Sequence, residues 1–426
     1  MLTAEENAEL TRVGPGTHMG ELLRRYWHPI GAAAEMEQRW TKRVRLMGED
    51  LVLYKDRQGR FGLIAEACPH RRASLAYGIP TNDGIRCPYH GWMFDAGGRC
   101  IEQPNEPEGS TFKEKITTAG YPVRSAAGML FAYLGPLPAP QLTLLDGYVV
   151  EPAIRMVGTA ILPCNWLQIM ENSVDPIHSE WLHGHLQEFI EEERGTPSKM
   201  PSTGRHLKIA FDDRPFGIVK RRLKEGQSED CDDWQVGHPL VFPNILAVGN
   251  ASWQMYEFQI RVPVDDENTL HVWFTSFAVP DGVYVPPEVL DRVHYYDVPA
   301  GGEESYELDM VDHQDIMAWA TQGRVCDRSL EHLGSTDRGV TMYRKMLHRE
   351  RDKVTGGKDP INVFRGAADS VVLDLPIEKA KAHYNDTFER YIARKSWRCS
   401  SIVDELIAYF RRRNEHFAKI ATESPA

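Results

Sequence analysis

The first third of the chain has short apolar runs that are typical of a small antiparallel β domain. Residues 1–40 predict a helical segment, with Leu10 and Leu22 as apolar contacts and a break at Gly14-Pro15-Gly16. From residue 41 onward, short strand-like runs are separated by turns rich in Gly, Asp and Pro. This pattern predicts an all-β domain over residues 41–140 that follows the helical segment.

The longer second part of the chain combines helical and strand-like patterns. The proline-rich stretch at 135–140 predicts a linker. Beyond it, residues 164–192 have helical spacing, and residues 205–224 and 241–280 have strand-like alternation. Helical spacing returns at 313–350 and 376–420. We therefore expect an α+β fold, in which a β-rich N-terminal domain precedes a larger domain over residues 141–426. In that domain an antiparallel sheet packs against helices.

Composition and charge exclude several classes of protein. The 426 residues include 49 Lys and Arg against 61 Asp and Glu, a formal charge of −12, which disfavours nucleic acid as a partner. The N-terminus has no signal-peptide pattern, and no run of about eighteen apolar residues predicts a membrane span. Seven scattered cysteines do not resemble a disulfide framework. We expect a cytoplasmic protein.

Four residues of the β domain have the spacing of a metal centre. Cys68 and His70 form one arm, and Cys87 and His90 form a second arm after sixteen intervening residues. A zinc site can also use two cysteines and two histidines. Zinc fingers, however, usually pair Cys with Cys and His with His, whereas each arm here has one Cys and one His. In a Rieske [2Fe–2S] centre, two histidines replace two cysteines on one iron. The mixed arms therefore favour a Rieske cluster.

A second group of candidate ligands lies in the helical stretch after the linker. Its members are Glu171, Asp175, His178 and His183. Two histidines five positions apart on a continuous helix would point about 140° apart, so we expect the helix to be distorted around Pro176. Two histidines and a carboxylate form the facial triad of non-haem Fe(II) oxygenases. The alternative, a Rieske electron-transfer protein, would leave most of this long chain unexplained.

Both groups of residues resemble the motifs of the Rieske ring-hydroxylating oxygenases. The stretch CPYHGWMFD resembles the Rieske domain of their α-subunits, and ENSVDPIHSEWLH resembles their mononuclear-iron motif. The similarity extends from VGPGTHMGELLRRYW near the N-terminus to EHLGSTD, and it is closest to the phthalate-dioxygenase type. The resemblance implies a catalytic domain of the helix-grip, START-like kind.

The resemblance also implies a role for individual residues. The cluster ligands would be Cys68, His70, Cys87 and His90, and the mononuclear Fe(II) ligands would be His178, His183 and Asp315, with Asp312 as the alternative to Asp315. Asn172 and Gln168 would lie around the iron. Asp175 would link the mononuclear site to a Rieske histidine of the neighbouring subunit. The expected assembly is a head-to-tail homotrimer, or two such rings stacked as a hexamer.

Substrate and partners follow from the same resemblance. Electrons from NADH would arrive through a separate ferredoxin or flavin reductase, because the chain has no Gly-rich nucleotide fingerprint. Most substrates of this group are aryl carboxylates, which require polar or cationic partners and an aromatic wall. The candidates are Ser179, Arg205, Arg221 and Trp253, with Lys220, Arg222, Phe258 and Phe274 as further possibilities. Only one face of the strand can point inward, so Arg221 and its neighbours cannot share a pocket.

The reaction expected from the resemblance uses O2 at the mononuclear iron. We expect O-demethylation of a lignin-derived, methoxylated aryl or biaryl acid. Ring cis-dihydroxylation of a phthalate or phenoxybenzoate type of substrate is the alternative. The two reactions differ in whether a methoxy carbon or a ring edge is held beside the iron, a difference that sequence alone does not resolve.

Overall fold

The N-terminal segment contains two helices and a strand. A computed structural model describes residues 1–195, 204–250, 253–302, 305–376 and 388–423. Helices α1 (Ala4–Thr11) and α2 (His18–Leu23) each follow a threonine whose side chain accepts a backbone N–H of the first turn. Trp27–Ala32 is strand β1, so the expectation of a purely helical segment over residues 1–40 is wrong. The strand is stabilised by pairing with residues 129–133, a long-range contact that a local pattern does not show.

The segment that was expected to be all-β consists of small antiparallel sheets. Its strands are β2 (Thr41–Leu46), β3 (Glu49–Lys55), β4 (Phe61–Ala65), β5 (Ile79–Pro80), β6 (Ile85–Arg86), β7 (Met93–Phe94), β8 (Cys100–Glu102), β9 (Gly120–Tyr121), β10 (Val123–Ala126) and β11 (Met129–Tyr133). They form sheets of order β2-β3-β4-β9, β5-β6-β7-β8 and β1-β11-β10. Residues of both four-stranded sheets, among them Val52, Ile64 and Phe94, share one buried core.

An eight-stranded sheet forms the centre of the larger domain. After β12 (Leu142–Leu145), its strands are β13 (Ala153–Leu162), β14 (His206–Arg214), β15 (Gly217–Lys224), β16 (His238–Val241), β17 (Ile245–Asn250), β18 (Met255–Pro263), β19 (Thr269–Ala278) and β20 (Val293–Asp297). Their order is β14-β15-β16-β17-β18-β19-β13-β20. The neighbours are antiparallel except for β13 and β20 at one edge. A separate parallel pair joins β12 to β21 (Ser370–Leu373).

Helices cover this sheet. They are α3 (Asp146–Val149), α4 (Trp166–Val174), α5 (His178–Glu180), α6 (Leu186–Glu193), α7 (Asp232–Gln235), α8 (Pro287–Leu290), α9 (Val311–Ala320), α10 (Arg338–Thr355), α11 (Phe388–Ala393) and α12 (Val403–Glu423). Each of the two helices expected at the end of the chain is in fact divided, and residues 377–387 lie outside the described residues. No helix within the described ranges is both long and apolar enough to cross a bilayer.

The two faces of the large sheet differ in chemistry. Because side chains alternate along a strand, residues 256, 258, 260 and 262 of β18 point to one face and residues 257, 259 and 261 to the other. On the first face, Phe258 and Phe274 pack against Tyr148 of α3. The second face carries Glu257, Gln259 and Arg261, all buried. We call this second face the inner face, since it is covered by the helices that carry the candidate iron ligands.

Trp397 connects the C-terminal helices to the inner face of the sheet. Its fully buried ring packs against Phe277 and Tyr391, and its indole N–H donates to Thr275 Oγ1 at 3.1 Å. Trp397→Ala should lower the free energy of unfolding by about 3–5 kcal/mol, because it leaves a cavity and removes a hydrogen bond. Guanidinium unfolding followed by circular dichroism measures the change. Trp40→Ala, at an exposed tryptophan, is the control, and equal stability of the two variants would contradict this role.

Candidate active site and metal centres

Two similar turns position the mixed cysteine and histidine arms. Cys68 O accepts a hydrogen bond from Arg72 N at 2.9 Å, and Cys87 O accepts one from Gly91 N at 3.0 Å. Each turn closes on a residue in the left-handed region, with φ of 65° at Arg72 and 78° at Gly91. Gly91 adopts this conformation without strain because it lacks a Cβ. The two arms therefore present their side chains in equivalent ways.

The four side chains of these arms converge at one end of the β domain. Cys68 and Cys87 are buried, and their thiols contact each other. Burial, aided by the neighbouring thiol, raises the pKa of Cys68 to about 11. The rings of His70 and His90 have centroids 4.6 Å apart, and His70 stacks on Trp92 at 4.4 Å. Buried sulfurs beneath paired imidazoles fit a [2Fe–2S] cluster whose two irons have different ligands.

The candidate iron ligands His178 and His183 lie on an interrupted helix. Helix α4 ends before Asp175, and α5 begins at His178 and continues into a π-helical turn over Trp181–His185. The hydrogen bonds of a π-helix join residues five apart, so this turn brings positions 178 and 183 to the same side. The expected distortion exists, but besides the break around Pro176 it includes the π-helical turn over Trp181–His185, which contains His183. Their ring centroids are 5.3 Å apart.

Helix α9 brings Asp315 to the two histidines. Asp315 Oδ1 lies 3.3 Å from His183 Nε2 and 4.0 Å from His178 Nε2, and one ligand atom from each residue falls within 4.8 Å of the others. His183 Nδ1 contacts Gln314 Oε1 at 2.8 Å, which leaves Nε2 directed at the site. Asp315 Oδ1 is buried without a well-formed hydrogen bond. This arrangement fits a facial triad for Fe(II).

Asp315 and His183 shift each other's pKa values in opposite directions. Burial would raise the pKa of Asp315, but its interactions with the neighbouring rings of His183 and His178 outweigh burial and lower the pKa. Burial likewise disfavours the charged form of His183, yet the carboxylate of Asp315 raises the pKa of that ring. The carboxylate is therefore available as a metal ligand.

The carboxylate of Asp312, the alternative third ligand, is occupied by hydrogen bonds to other parts of the domain. Its carboxylate accepts hydrogen bonds from the Trp273 indole at 3.0 Å, the Lys395 ammonium at 3.2 Å and the Ser396 amide at 2.7 Å. These contacts attach α9 to the sheet and to the C-terminal segment. Because Asp312 and Asp315 are three residues apart on one helix, this attachment also positions Asp315.

Asp175 lies at the break between α4 and α5. Its two carboxylate oxygens accept the amides of Ile177 and His178 at 2.8 and 3.1 Å, and Oδ2 lies 3.4 Å from His178 Nδ1. Burial opposes ionisation of Asp175. The ring of His178, the amide of Ile177 and the charge of Lys220 together outweigh burial and lower the pKa of Asp175 to about 2. The carboxylate of Asp175 therefore lies next to Nδ1 of His178, a candidate ligand, on the side away from Nε2.

Two residues that were expected near the iron have different positions. Glu171 forms ion pairs with Arg328 of the loop before α10 and with Arg344 of α10, which tie α4 to both. Gln168 is also wrongly expected there: its amide donates to Trp319 O and Gly323 O, and its carbonyl accepts an N–H of the same loop. Asn172 is half-buried in the last turn of α4, and its carbonyl accepts Asp175 N.

The expected substrate residues are only partly brought together. Ser179 lies beside His178, where its hydroxyl donates to Pro176 O. Arg205 is exposed. Arg221 was wrongly placed in the pocket, because its side chain points to the opposite face of β15 and pairs with Asp212.

The expectation that Trp253, Phe258 and Phe274 line the substrate pocket is also wrong. Trp253 packs against Phe388, Tyr391 and Phe410 in the C-terminal aromatic cluster. Phe258 and Phe274 lie on the outer face of the sheet with Tyr148. A strand pattern shows which residues share a face but does not show which face the helices of the site cover.

Comparison with known proteins shows the family. A model of the Rieske [2Fe-2S] domain matches residues 26–122. The oxygenase subunit of 5,5'-dehydrodivanillate O-demethylase from Sphingobium sp. (strain NBRC 103272 / SYK-6) is 43% identical over 88% of this chain and 87% of its own length. This chain belongs to the Rieske non-haem iron oxygenases. It is an oxygenase component, with a Rieske [2Fe–2S] cluster, a mononuclear iron, and O2 and externally supplied electrons as co-reactants.

Other members of the family extend the similarity. The oxygenase subunit of phthalate 4,5-dioxygenase from Pseudomonas putida is 31% identical to this oxygenase over 82% of this chain and 85% of its own length. The terminal oxygenase of carbazole 1,9a-dioxygenase from Nocardioides aromaticivorans IC177 has the same fold. Its TM-score is 0.59 at 19% identity, and the match covers 81% of this chain and 98% of that one.

The geometry of the triad predicts the effect of removing its carboxylate. Asp315→Ala should weaken Fe(II) binding at the mononuclear site by about 100-fold or more, because a ligand and its charge are lost. The visible absorption of the Rieske cluster should not change. Chelator-accessible ferrous iron in the purified oxygenase measures the loss. His185→Ala, two residues beyond His183 and paired with Glu188 at the surface, is the control. Equal iron content in the two variants would contradict the assignment.

Proposed function

We propose that this oxygenase removes the methyl group of a methoxylated aromatic acid. The observation that carries the proposal is the convergence of His178, His183 and Asp315, a ligand set that leaves coordination positions of a ferrous ion open for O2. The identity of 43% to an O-demethylase subunit, against 31% to the phthalate and phenoxybenzoate dioxygenases, favours demethylation over ring dihydroxylation. All three of those relatives are named for aryl carboxylates.

The proposed reaction balances with two electrons from NADH. A methoxyarene, O2, two electrons and two protons give a phenol, formaldehyde and water, since hydroxylation of the methyl carbon yields a hemiacetal that breaks down. When bound, the cluster supplies electrons and the mononuclear iron activates O2. In the protein, Gln314 fixes the tautomer of His183, Asp175 supports His178, and Asp312 holds the helix of Asp315.

Electrons are proposed to reach the mononuclear site from the Rieske domain of a neighbouring subunit. Support comes from exposed apolar side chains on the surface around the mononuclear site: Trp181, Phe189 and Leu330 are all more than half exposed. The tip of the Rieske domain also exposes Tyr77 and Tyr89. Such surfaces favour association, and a head-to-tail ring of three subunits would place Asp175 beside His70 or His90 of the neighbour.

The electron donor is proposed to be a separate ferredoxin, flavin reductase or both, in the cytoplasm. The chain has no Gly-rich nucleotide fingerprint with which to bind NADH itself. None of the seven cysteines, all of which lie in the described ranges, forms a disulfide, which agrees with a reducing compartment.

Formaldehyde release tests the reaction. The oxygenase, supplied with NADH, a ferredoxin and a flavin reductase, should release formaldehyde from 5,5'-dehydrodivanillate or vanillate in proportion to NADH oxidised. Formaldehyde is measured with a colorimetric reagent, and phthalate is run in parallel with chromatographic detection of cis-diols. A cis-diol from phthalate without formaldehyde from any methoxylated acid would replace demethylation with the ring-dihydroxylating alternative.

The position of Asp175 predicts a selective loss of turnover. Asp175→Asn can still accept one backbone N–H, so both metal centres should remain loaded. Loss of the negative charge next to His178 should lower turnover by about 100-fold. Stopped-flow reoxidation of the reduced cluster measures the electron-transfer step directly. Asp327→Asn, at an exposed aspartate, is the matched control. Normal reoxidation in a metal-replete Asp175→Asn protein would contradict the role.

A further inference from the structure

The indole of Trp92 stacks on the ring of a cluster ligand. Trp92 is only 7% exposed, whereas His70 lies at the surface of the Rieske domain. The centroids of the two rings are 4.4 Å apart, and their planes are within 11° of parallel. The ring of His90 meets His70 edge-on, at 4.6 Å and 74°. The indole therefore covers one face of the His70 imidazole.

The backbone of Trp92 belongs to the other arm of the cluster site. Its carbonyl oxygen accepts a hydrogen bond from Cys87 N at 2.8 Å, at the base of the turn that Gly91 closes. The side chain of the same residue crosses to His70 of the first arm. Contacts of this kind orient the histidine ligands of metal centres. Trp92 thus contacts both arms and fixes the ring of His70 relative to the Cys87 turn.

Phe112 holds the indole from a second direction. Its ring meets that of Trp92 edge-on, with centroids 5.8 Å apart and planes at 82°. Phe112 begins a single helical turn, which Lys113 attaches to β8 by donating a hydrogen bond to Ile101 O at 3.2 Å. Phe112 is 42% exposed, so it lies between the indole and solvent.

The two ligand histidines have aromatic neighbours that differ in exposure. The ring of Tyr89 lies 3.9 Å from that of His90, and Tyr89 is 55% exposed. The indole on His70 is nearly buried, and Phe112 packs against it. Water is therefore kept from the face of His70 more completely than an exposed tyrosine can keep it from His90.

Charge gives this exclusion of water an effect on the reduction potential. A [2Fe–2S] centre with two thiolate and two neutral imidazole ligands is neutral when oxidised and carries one negative charge when reduced. Water stabilises the charged, reduced form more than an apolar ring does. By covering His70, Trp92 therefore lowers the potential. A lower potential makes the reduced cluster a stronger donor to the mononuclear iron.

We propose that Trp92 is a positioning residue of the Rieske centre, which fixes the plane of the His70 ring and lowers the reduction potential by excluding water from it. The role concerns the transfer of electrons. It is therefore independent of whether this oxygenase demethylates its substrate or dihydroxylates a ring. A residue that only filled space in the domain would affect stability and leave the potential of the loaded cluster unchanged.

A redox titration of the cluster-loaded oxygenase tests the role. In Trp92→Leu, the ratio of reduced to oxidised cluster at a fixed solution potential should rise about 3- to 10-fold, because water reaches His70. A tenfold rise corresponds to about 59 mV for one electron. The g values of the reduced cluster in electron paramagnetic resonance should also shift, since the plane of His70 is no longer fixed.

Matched variants separate this role from a general effect on the domain. Trp92→Phe keeps a flat ring and should recover most of the original potential. Trp40→Leu removes a tryptophan of the same part of the chain that is 69% exposed, and it should leave the potential and the g values unchanged.

The two half-reactions should respond in opposite directions. Reduction of the Trp92→Leu cluster by NADH through the ferredoxin and reductase should be at least as fast as in the unchanged oxygenase. Reoxidation by O2 in the presence of 5,5'-dehydrodivanillate should be about threefold slower, because about half of a change in driving force reaches the barrier. Stopped-flow absorbance of the cluster measures both rates.

The potential decides the outcome. An unchanged or lower potential in cluster-loaded Trp92→Leu would overturn the proposal, whatever product the oxygenase releases. A raised potential that Trp92→Phe restores would support it. If Trp92→Leu does not retain its cluster, Phe112→Leu provides the test, because it opens the edge of the indole to water and leaves the stack on His70. The ratio of reduced to oxidised cluster should then rise about twofold, and an unchanged ratio would overturn the proposal.

Discussion

The π-helical turn over Trp181–His185, which contains His183 and follows His178, is the constraint on which the candidate iron site depends. In a regular α-helix the two rings would diverge, whereas the π turn brings them to one side, where Asp315 of α9 meets them. Other residues of the domain hold His178, His183 and Asp315 in these positions. Asp175 supports one histidine, Gln314 orients the other, and the buried contacts of Asp312 attach α9 to the sheet.

Much of this arrangement could be predicted from residue types and spacing. The mixed cysteine and histidine arms indicated the Rieske centre, and the fold class and the family are confirmed by the structure and the comparisons. The five-residue spacing of His178 and His183 required a distorted helix, but only the structure shows that the distortion follows Pro176. Whether Asp315 or Asp312 faces the two histidines depends on the orientation of α9. Hydrogen bonds from Trp273 and Ser396, both distant in sequence, hold Asp312 away from the histidines and so set that orientation.

Substrate recognition was predicted least well, for a physical reason. Strand alternation showed that Arg221 and its neighbours point to opposite faces, but the inward face is set by helices far away in sequence. A usable signal was present in β18, where Glu257, Gln259 and Arg261 alternate with apolar residues in a central strand of the sheet. Polar residues at alternate positions of such a strand are buried here, so they mark the face of the sheet that other elements cover.

The central claim is that one chain holds two chemically distinct iron centres, a histidine- and cysteine-ligated cluster and a ferrous triad. Mössbauer spectroscopy of the ⁵⁷Fe-enriched, reduced oxygenase tests it most directly. The account predicts a Rieske diiron signal together with a separate high-spin ferrous signal, and the latter alone should change when an aromatic acid is added. Iron found only in the cluster, or zinc in place of either centre, would contradict it.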